Sequence, residues 1–184
     1  MTGKLGKAIS ANGSNQYVSL PAIALSTTAA ATVALWVNRT YSTNGGHVLF
    51  EDTTDFNSST TGFARGPDDD TCAGIMVVLH GNSGYSANCY TQPTSGVWHH
   101  LVAVYDKTQS GSNETALYID GVLQKAKRNY MTTTNNNNFG KNAIYLFSRA
   151  GTSMFSAGMM DDLRIYSRAL TAAEVQQIYS TASQ

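Results

Sequence analysis

The chain has 184 residues, of which 42% are hydrophobic and 13% charged, and twelve basic and twelve acidic residues give a formal net charge of zero. Without a basic stripe, the chain is not suited to bind nucleic acid or an anionic membrane surface. No run approaches the ~20 apolar residues of a membrane-spanning helix, so we expect no membrane insertion.

The N-terminal half predicts β-strands, because apolar and polar residues alternate there with a period of two. Strands are predicted over residues 17–20, ended by Pro21, over the strongly apolar residues 32–37, and over residues 47–51 after a Gly-Gly turn. The alanine-rich residues 26–31 lead directly into the second strand, so we interpret them as part loop and part strand entry.

Residues 52–71 form the longest irregular stretch, dense in Asp, Ser, Thr and Gly. Loops longer than ~12–15 residues are uncommon in compact domains and are usually functional or mobile. Residues 74–80 and 85–90 then predict a hairpin with its turn at Gly81-Asn82-Ser83-Gly84.

Cys72 and Cys89 are the only cysteines and lie across this hairpin. A disulfide between adjacent strands fits an extracellular setting, and two unpaired structural cysteines are the alternative. With two thiols and no Cys-x-x-Cys, no zinc site is predicted.

The next part of the chain predicts a second run of strands. Residues 98–106 and 116–120 are predicted strands joined by a turn over residues 107–114. Asp120-Gly121 favours a tight turn into residues 122–125.

The C-terminal part predicts the last strands and one helix. Residues 143–148 and the alternating residues 162–166 are the strands, and Thr171 with Glu174 three residues later is a capping-box pattern that starts the helix. About a dozen short strands and one late helix predict an all-β sandwich in a single domain.

Four segments resemble, in order and spacing, the laminin G-like, concanavalin A-like lectin/glucanase jelly-roll family: residues 32–37, 98–105, 116–123 and 158–175. The resemblance extends from about Leu5 to Tyr179. It implies an antiparallel jelly-roll β-sandwich with one short C-terminal helix over residues 1–184. Because members are mostly secreted binding domains, it also implies a secreted location and a domain excised from a larger protein, covalently linked to other domains.

Catalytic signatures are weak, although this fold also houses glycoside hydrolases and lyases. Retaining glycosidases need two carboxyl groups ~5–5.5 Å apart. The three glutamates, Glu51, Glu114 and Glu174, are far apart in sequence, and the segment around Ser83 misses the Gly-x-Ser-x-Gly elbow by one position. We therefore predict no catalytic residue.

The resemblance implies a structural Ca²⁺ between the N-terminal segment and the final strand, where hard oxygen ligands are required. The matching positions are Asn12, Ser14, Asp161 and Asp162. Relatives often carry carboxylates where this chain has asparagine, and fewer charges weaken a site. The alternative is that Asp161 accepts backbone N–H groups from a neighbouring turn. The acidic residues 68–70 predict either a second ion or a solvated loop.

Aromatic side chains are the candidates for sugar stacking, with polar side chains nearby to bind hydroxyl groups. Trp36 is expected in the core and Trp98 at least partly packed. Loop aromatics are better candidates: Phe56, Phe63, Tyr85, Tyr90, Tyr130 and Phe155. Possible hydrogen-bonding partners are Arg65, Asp69, Asn82, Arg128 and Asn136. The alternative is that several of these rings seal the ends of the sandwich.

These observations favour a non-catalytic carbohydrate-binding module that targets a secreted multidomain protein to a polysaccharide or glycan. Two alternatives stay open. One is a protein-interaction or adhesion module, which an exposed charged or hydrophobic patch would favour. The other is a polysaccharide-degrading enzyme with an unrecognised site, which two converging carboxylates with raised pKa values would favour.

Overall fold

The computed structural model describes residues 1–23, 25, 27–39, 47–52, 72, 74–81, 84–132, 139 and 142–182. The helix is α1 (Ala172–Ala182), and a 3-10 turn spans Gly111–Glu114. The strands are β1 (Ile9–Asn12), β2 (Val18–Leu20), β3 (Ala30–Asn38), β4 (Phe50–Glu51), β5 (Ile75–Gly81), β6 (Gly84–Tyr90), β7 (Trp98–Asp106), β8 (Thr115–Ile119), β9 (Val122–Leu123), β10 (Arg128–Thr132), β11 (Ile144–Leu146) and β12 (Ala157–Tyr166).

The described strands form two antiparallel layers. The first layer is a six-stranded sheet in the order β1-β12-β3-β7-β8-β9. The second consists of the three-stranded sheets β10-β6-β5 and β2-β11-β4. Leu35, Val77 and Leu146, one from each sheet, belong to a single buried cluster between the layers. The predicted jelly-roll β-sandwich is therefore confirmed.

The alternating residues of β3 pack against different partners. Val33, Leu35 and Val37 point into the space between the layers. Ala34 packs on the opposite face in the cluster that includes Val175 of α1. Successive side chains of a strand alternate between faces, so one apolar strand contributes to both the main core and the helix contact.

The predicted capping box holds the start of α1. The Thr171 backbone N–H donates to Glu174 Oε2 at 2.8 Å, and the Glu174 N–H donates to Thr171 Oγ1 at 3.3 Å. Arg168 adds two hydrogen bonds to the Glu174 carboxylate at 2.9 and 2.6 Å. These bonds, of which that from Arg168 is the largest cause, lower the pKa of Glu174 to about 2.

Among the described residues, no helix has the length and apolar character needed to cross a bilayer.

Trp36 is buried as expected, with 2% of its surface exposed, but it does not lie between the two layers. Its ring packs on the outer face of the six-stranded sheet, 5.8 Å from Tyr179 of α1 and 5.2 Å from His100. Trp98 is half-buried, as expected. The helix thus covers the ring of Trp36, which was expected to pack in the core.

The predicted hairpin is present, with Gly81 of β5 paired with Gly84 of β6. Cys72 and Cys89 form a disulfide, with Cα atoms 5.7 Å apart, which decides between the two interpretations of the cysteines. The disulfide ties the chain before β5 to the end of β6.

Two strands, β1 and β10, were not predicted from the sequence. Both lie at the edge of a sheet, and only Ala11 of β1 is buried. β10 has the sequence Arg-Asn-Tyr-Met-Thr, without a regular apolar period. An edge strand is held by the hydrogen-bond ladder of one neighbour, so its own side chains carry little pattern. The predicted strand 47–51 shortens to the two residues of β4.

Candidate functional site

The outer face of the sheet β2-β11-β4 carries the candidate site. Ile144 and Leu146 of β11 are buried in the main core, so Tyr145 between them points to the opposite face. Its register partners are Ser19 of β2 and Glu51 of β4. Tyr17 precedes Ser19 by two residues and shares this face.

Three aromatic rings lie together there. The ring centroid of Tyr17 lies 6.1 Å from that of Tyr145 and 6.5 Å from that of Phe155. The planes are inclined by 44° and 45°. Tyr17 is 46% exposed, and the other two rings are half-buried. We call Tyr17, Tyr145 and Phe155 the aromatic platform.

The loop between β11 and β12 holds the platform from one side. Within this loop, the Arg149 N–H donates to the Ser153 carbonyl at 2.9 Å, and the Ser156 N–H donates to the Phe147 carbonyl at 2.8 Å. His47 Nδ1 donates to the Phe155 carbonyl at 2.7 Å. These bonds fix the backbone on which Phe155 sits.

Gly151 lets this loop lie directly against the Tyr17 ring. Its φ is +69°, which favours glycine, and a Cβ atom at this position would lie 2.6 Å from Tyr17 Cζ. Any larger residue would have to displace the ring or the loop. The close approach therefore depends on glycine.

A buried ion pair lies beside Tyr145. Arg149 Nε is 3.1 Å from both Glu51 carboxylate oxygens, and Arg149 Nη2 is 2.8 Å from Oε1. The side chains of Arg149 and Glu51 are 13% and 3% exposed. This bidentate geometry is the strong form of the pair, and it adds no net charge to the face.

The outer face of the other sheet, β10-β6-β5, has a different character. Met76 and Val78 of β5 pack with Ala87 and Cys89 of β6 beside Cys72. All five residues are buried. On β5 and β6 the described outward side chains make a buried apolar cluster, whereas Arg128 and Asn129 of β10 are exposed.

Tyr90 does not belong to either outer face, which corrects its assignment as a sugar-binding ring. It is 2% exposed and belongs to the core between the layers. Its hydroxyl donates to the Thr115 carbonyl at 3.3 Å. Burial raises the pKa of Tyr90 to about 12. At this position of β6 the side chain points into the core. Because Tyr90 is the last residue of its predicted strand, the sequence had suggested a loop aromatic.

Of the other predicted sugar-binding residues, Phe155 belongs to the aromatic platform and Arg128 of β10 is exposed. Tyr85 and Tyr130 belong to β6 and β10, and their side chains lie outside the description. The remaining residues lie outside the described part of the chain: Phe56, Phe63, Arg65, Asp69, Asn82 and Asn136. Their role in binding stays a prediction.

The four predicted metal ligands do not converge on one point. Asn12 is paired with Ala157, four residues before Asp161 in β12, a separation of roughly 13 Å at ~3.3 Å per strand residue. The Asn12 amide oxygen accepts the N–H groups of Ser14 and Asn15 at 2.9 and 3.2 Å. Asn12 and Ser14 therefore form a local turn at one end of β1.

Asp161 and Asp162 have protein partners of their own. The Asp161 carboxylate accepts the N–H of Leu5 at 2.7 Å and that of Asp162 at 2.8 Å, and Asp162 pairs with Arg164 at 2.9 Å. Within the described residues, no group of three or more His, Cys, Asp or Glu side chains is arranged to hold a metal ion. The predicted ligand set therefore does not fit a shared Ca²⁺, and residues 68–70 lie outside the description.

The interior holds a polar cluster that is separate from the platform. Glu114, predicted in a turn, is fully buried and accepts a hydrogen bond from Ser86 Oγ. Lys107 Nζ lies 4.5 Å from the centroid of the Phe139 ring. Burial lowers the pKa of Lys107 to about 7, opposed by the charges of Asp52 and Glu114. This cluster belongs to the packing between the layers.

Phe155 was predicted from the sequence as a sugar-binding ring, whereas Tyr17 and Tyr145 were not. The available signal was the alternation Ile144-Tyr145-Leu146, which places a large ring on the solvent side of a strand with two core residues. Bringing Tyr17 to Tyr145 requires the pairing of β2 with β11, which joins residues more than 120 positions apart.

Comparison with known proteins gives one matching family and several solved structures of similar fold. A family model described as the concanavalin A-like lectin/glucanases superfamily matches residues 12–176. A search of curated proteins found no match.

Three solved structures share this fold. Domain 4 of AbnA, a GH43 extracellular arabinanase from Geobacillus stearothermophilus solved in complex with arabinotriose, matches 100% of this chain and 80% of its own, with a TM-score of 0.69 and 23% identity. The heptameric SAP-like pentraxin of Limulus polyphemus matches 88% and 72%, with a TM-score of 0.53 and 16% identity. The binding domain of botulinum neurotoxin DC, solved with rat synaptotagmin II, matches 95% and 42%, with a TM-score of 0.65 and 9% identity.

Proposed function

Because this chain belongs to the concanavalin A-like lectin/glucanases superfamily, we propose that it is a non-catalytic carbohydrate-binding module that targets a secreted multidomain protein to a polysaccharide or glycan. The observation that carries the proposal is the aromatic platform on the outer face of the second layer. Its central ring, Tyr17, is 46% exposed.

The platform has the chemistry that sugar binding requires. An aromatic face stacks on the C–H-bearing face of a sugar ring, and hydroxyl groups of nearby side chains bind the sugar hydroxyls. Ser19 lies on the same face, and Thr152 and Ser153 of the adjoining loop are exposed. The hydrogen bonds within the loop hold the rings before a ligand arrives, which lowers the entropic cost of binding.

Three of the described carboxylates have arginine partners, which favours binding over catalysis at these three positions. Glu51 pairs with Arg149, Asp162 with Arg164, and Glu174 with Arg168. A glycosidase pair needs two carboxyl groups that face one scissile bond, whereas these carboxylates each face an arginine.

A secreted location is part of the proposal. The Cys72–Cys89 disulfide suits an oxidising compartment, and the AbnA domain of similar fold comes from an extracellular enzyme. Attached to further domains, the module would raise the local concentration of those domains at a polysaccharide.

The proposal is tested with a broad panel of soluble and insoluble glycans, using affinity electrophoresis for the former and pull-down for the latter. We expect the folded wild-type domain to bind at least one glycan, and the double variant Tyr17→Ala/Tyr145→Ala to lose that binding while keeping its circular dichroism spectrum. Wild-type domain that binds nothing in the panel would contradict the proposal.

A protein-interaction module is the second candidate, and one observation favours it. Val122 and Leu123 of the edge strand β9 are 61% and 56% exposed, and the botulinum binding domain of similar fold was solved with a protein partner. If the wild-type domain binds no glycan and Val122→Ser/Leu123→Ser abolishes binding to a protein partner, this candidate replaces the first.

A further inference from the structure

The three rings of the aromatic platform lie close together but do not share a plane. Tyr17 is inclined by 44° to Tyr145 and by 45° to Phe155. A sugar stacks well only when the face of its ring lies flat on the aromatic ring. Two neighbouring sugars that each lie flat on one of these rings must therefore be turned relative to one another.

A flat polysaccharide surface cannot satisfy this arrangement. In a crystalline polysaccharide, extended chains lie side by side and expose their rings in one common plane. Such a surface can lie flat on one ring of the platform but meets the next ring at about 45°. The second stacking contact is then lost.

The protein holds this tilt in place. Tyr145 lies in the central strand of its sheet, with β2 on one side and β4 on the other. The loop backbone at Gly151 blocks the Tyr17 ring on one side, since a Cβ there would already lie 2.6 Å from Cζ. The Met154 carbonyl, next to Phe155, accepts the Val48 N–H at 2.9 Å. A flat ligand would have to break these contacts to align the rings.

The charges beside the platform favour a neutral ligand. Arg149 binds Glu51 through both Nε and Nη2, so this guanidinium is engaged by a carboxylate. The pair adds no net charge to the face, so an anionic sugar placed here would gain a cation only by competing with the buried Glu51 carboxylate for Arg149. A neutral sugar disturbs neither group.

We infer that the aromatic platform takes a single, non-crystalline chain of neutral sugars whose successive rings are turned relative to one another. This inference rests on the proposed function and names the class of glycan. It predicts that the domain binds soluble or amorphous polysaccharide in preference to crystalline surfaces.

The test compares crystalline polysaccharides with soluble or amorphous ones, and cellulose is used in both forms. The wild-type domain is incubated with microcrystalline cellulose and crystalline chitin, with phosphoric-acid-swollen cellulose, and with soluble linear arabinan, mixed-linkage β-glucan and polygalacturonate. We expect binding to at least one soluble or amorphous neutral glycan, with weaker binding to the crystalline solids and to polygalacturonate.

The variants test whether the platform makes this choice. Tyr17→Ala and Tyr145→Ala should each raise the dissociation constant for the preferred glycan by about tenfold, the size of one lost stacking contact. Gly151→Ala should weaken binding by displacing Tyr17, whereas Ala150→Gly, one residue away, should not. Tyr166→Ala removes a half-buried tyrosine from the face of the six-stranded sheet that packs against α1. It serves as the matched control.

The outcomes separate this inference from the proposed function. Tight retention on crystalline cellulose or chitin, or soluble-glycan binding that Tyr17→Ala and Tyr145→Ala leave unchanged, overturns the inference and leaves a carbohydrate-binding module. Wild-type domain that binds no glycan, ordered or disordered, overturns both.

Discussion

Two aromatic clusters of this domain have similar spacing and opposite environments. In the platform, Tyr17 lies 6.1 and 6.5 Å from its two neighbours. In the cluster of Trp36, His100 and Tyr179, which we call the helix cluster, the centroids are 5.2 to 5.9 Å apart. Tyr17 is 46% exposed, and Trp36 is 2% exposed.

The difference lies in what covers each cluster. Helix α1 places Tyr179 nearly parallel to Trp36, at 29°, and Lys4 Nζ lies 4.8 Å from the Trp36 ring on the side of the N-terminal segment. Rings packed in this way stabilise the fold, because they are removed from water. Rings that stay tilted and partly exposed are available to a ligand. The element packed over an aromatic ring therefore decides whether the ring stabilises the fold or stays accessible.

Trp36→Ala should have the largest effect on stability. Removing a fully buried tryptophan costs about 3–5 kcal/mol of unfolding free energy, which urea denaturation measures. Trp98→Ala, at a half-buried tryptophan, is the matched control and should cost less. Equal losses for the two variants would contradict the view that the helix cluster is a structural core.

The helix cluster should also make stability depend on pH. Burial lowers the pKa of His100 from 6.5 to about 4, opposed by Asp162 and Asp120. The unfolded chain therefore binds this proton more readily than the folded chain. Stability should fall as pH drops below 6.5 and level off near pH 4, with a total loss from this group of about 3 kcal/mol.

Urea unfolding at several pH values checks this prediction. His100→Gln should flatten the profile between pH 6.5 and 4. A wild-type profile that is flat over this range would contradict the burial argument.

Tyr17→Ala should show the opposite behaviour to Trp36→Ala. Because the ring is partly exposed, its removal should lower the unfolding free energy by less than about 1 kcal/mol. Glycan affinity should fall by about tenfold. Isothermal titration calorimetry beside urea unfolding separates the two effects. A large stability loss with unchanged affinity would make the platform a second structural cluster.

Chelation should have the smallest effect. Asp161 and Asp162, on the strand next to Trp36, are bound by backbone N–H groups and Arg164, so we expect the melting temperature to be the same in EDTA and in Ca²⁺. Differential scanning calorimetry is the measurement. A melting temperature that falls in EDTA and is restored by Ca²⁺ would place a cation elsewhere in the chain.

Much of the framework was predictable because its signals are local. The alternation in β3 and β7, the turn at Asp120-Gly121 and the capping box of Thr171 and Glu174 each lie within a few residues. Edge strands β1 and β10 were not predicted, because each is held by hydrogen bonds to one neighbouring strand and has no regular apolar pattern of its own. The resemblance gave the positions of the four predicted metal ligands but not the strand register that separates Asn12 from Asp161.

The sequence by itself determined the fold class, the neutral charge and the start of the helix, since period, composition and capping are properties of neighbouring residues. Only the tertiary structure decided which rings face solvent. The pairing of β2 with β11 joins Tyr17 to Tyr145, and the return of α1 covers Trp36. Both events bring together residues more than 100 positions apart, and exposure depends on that assembly, not on residue type.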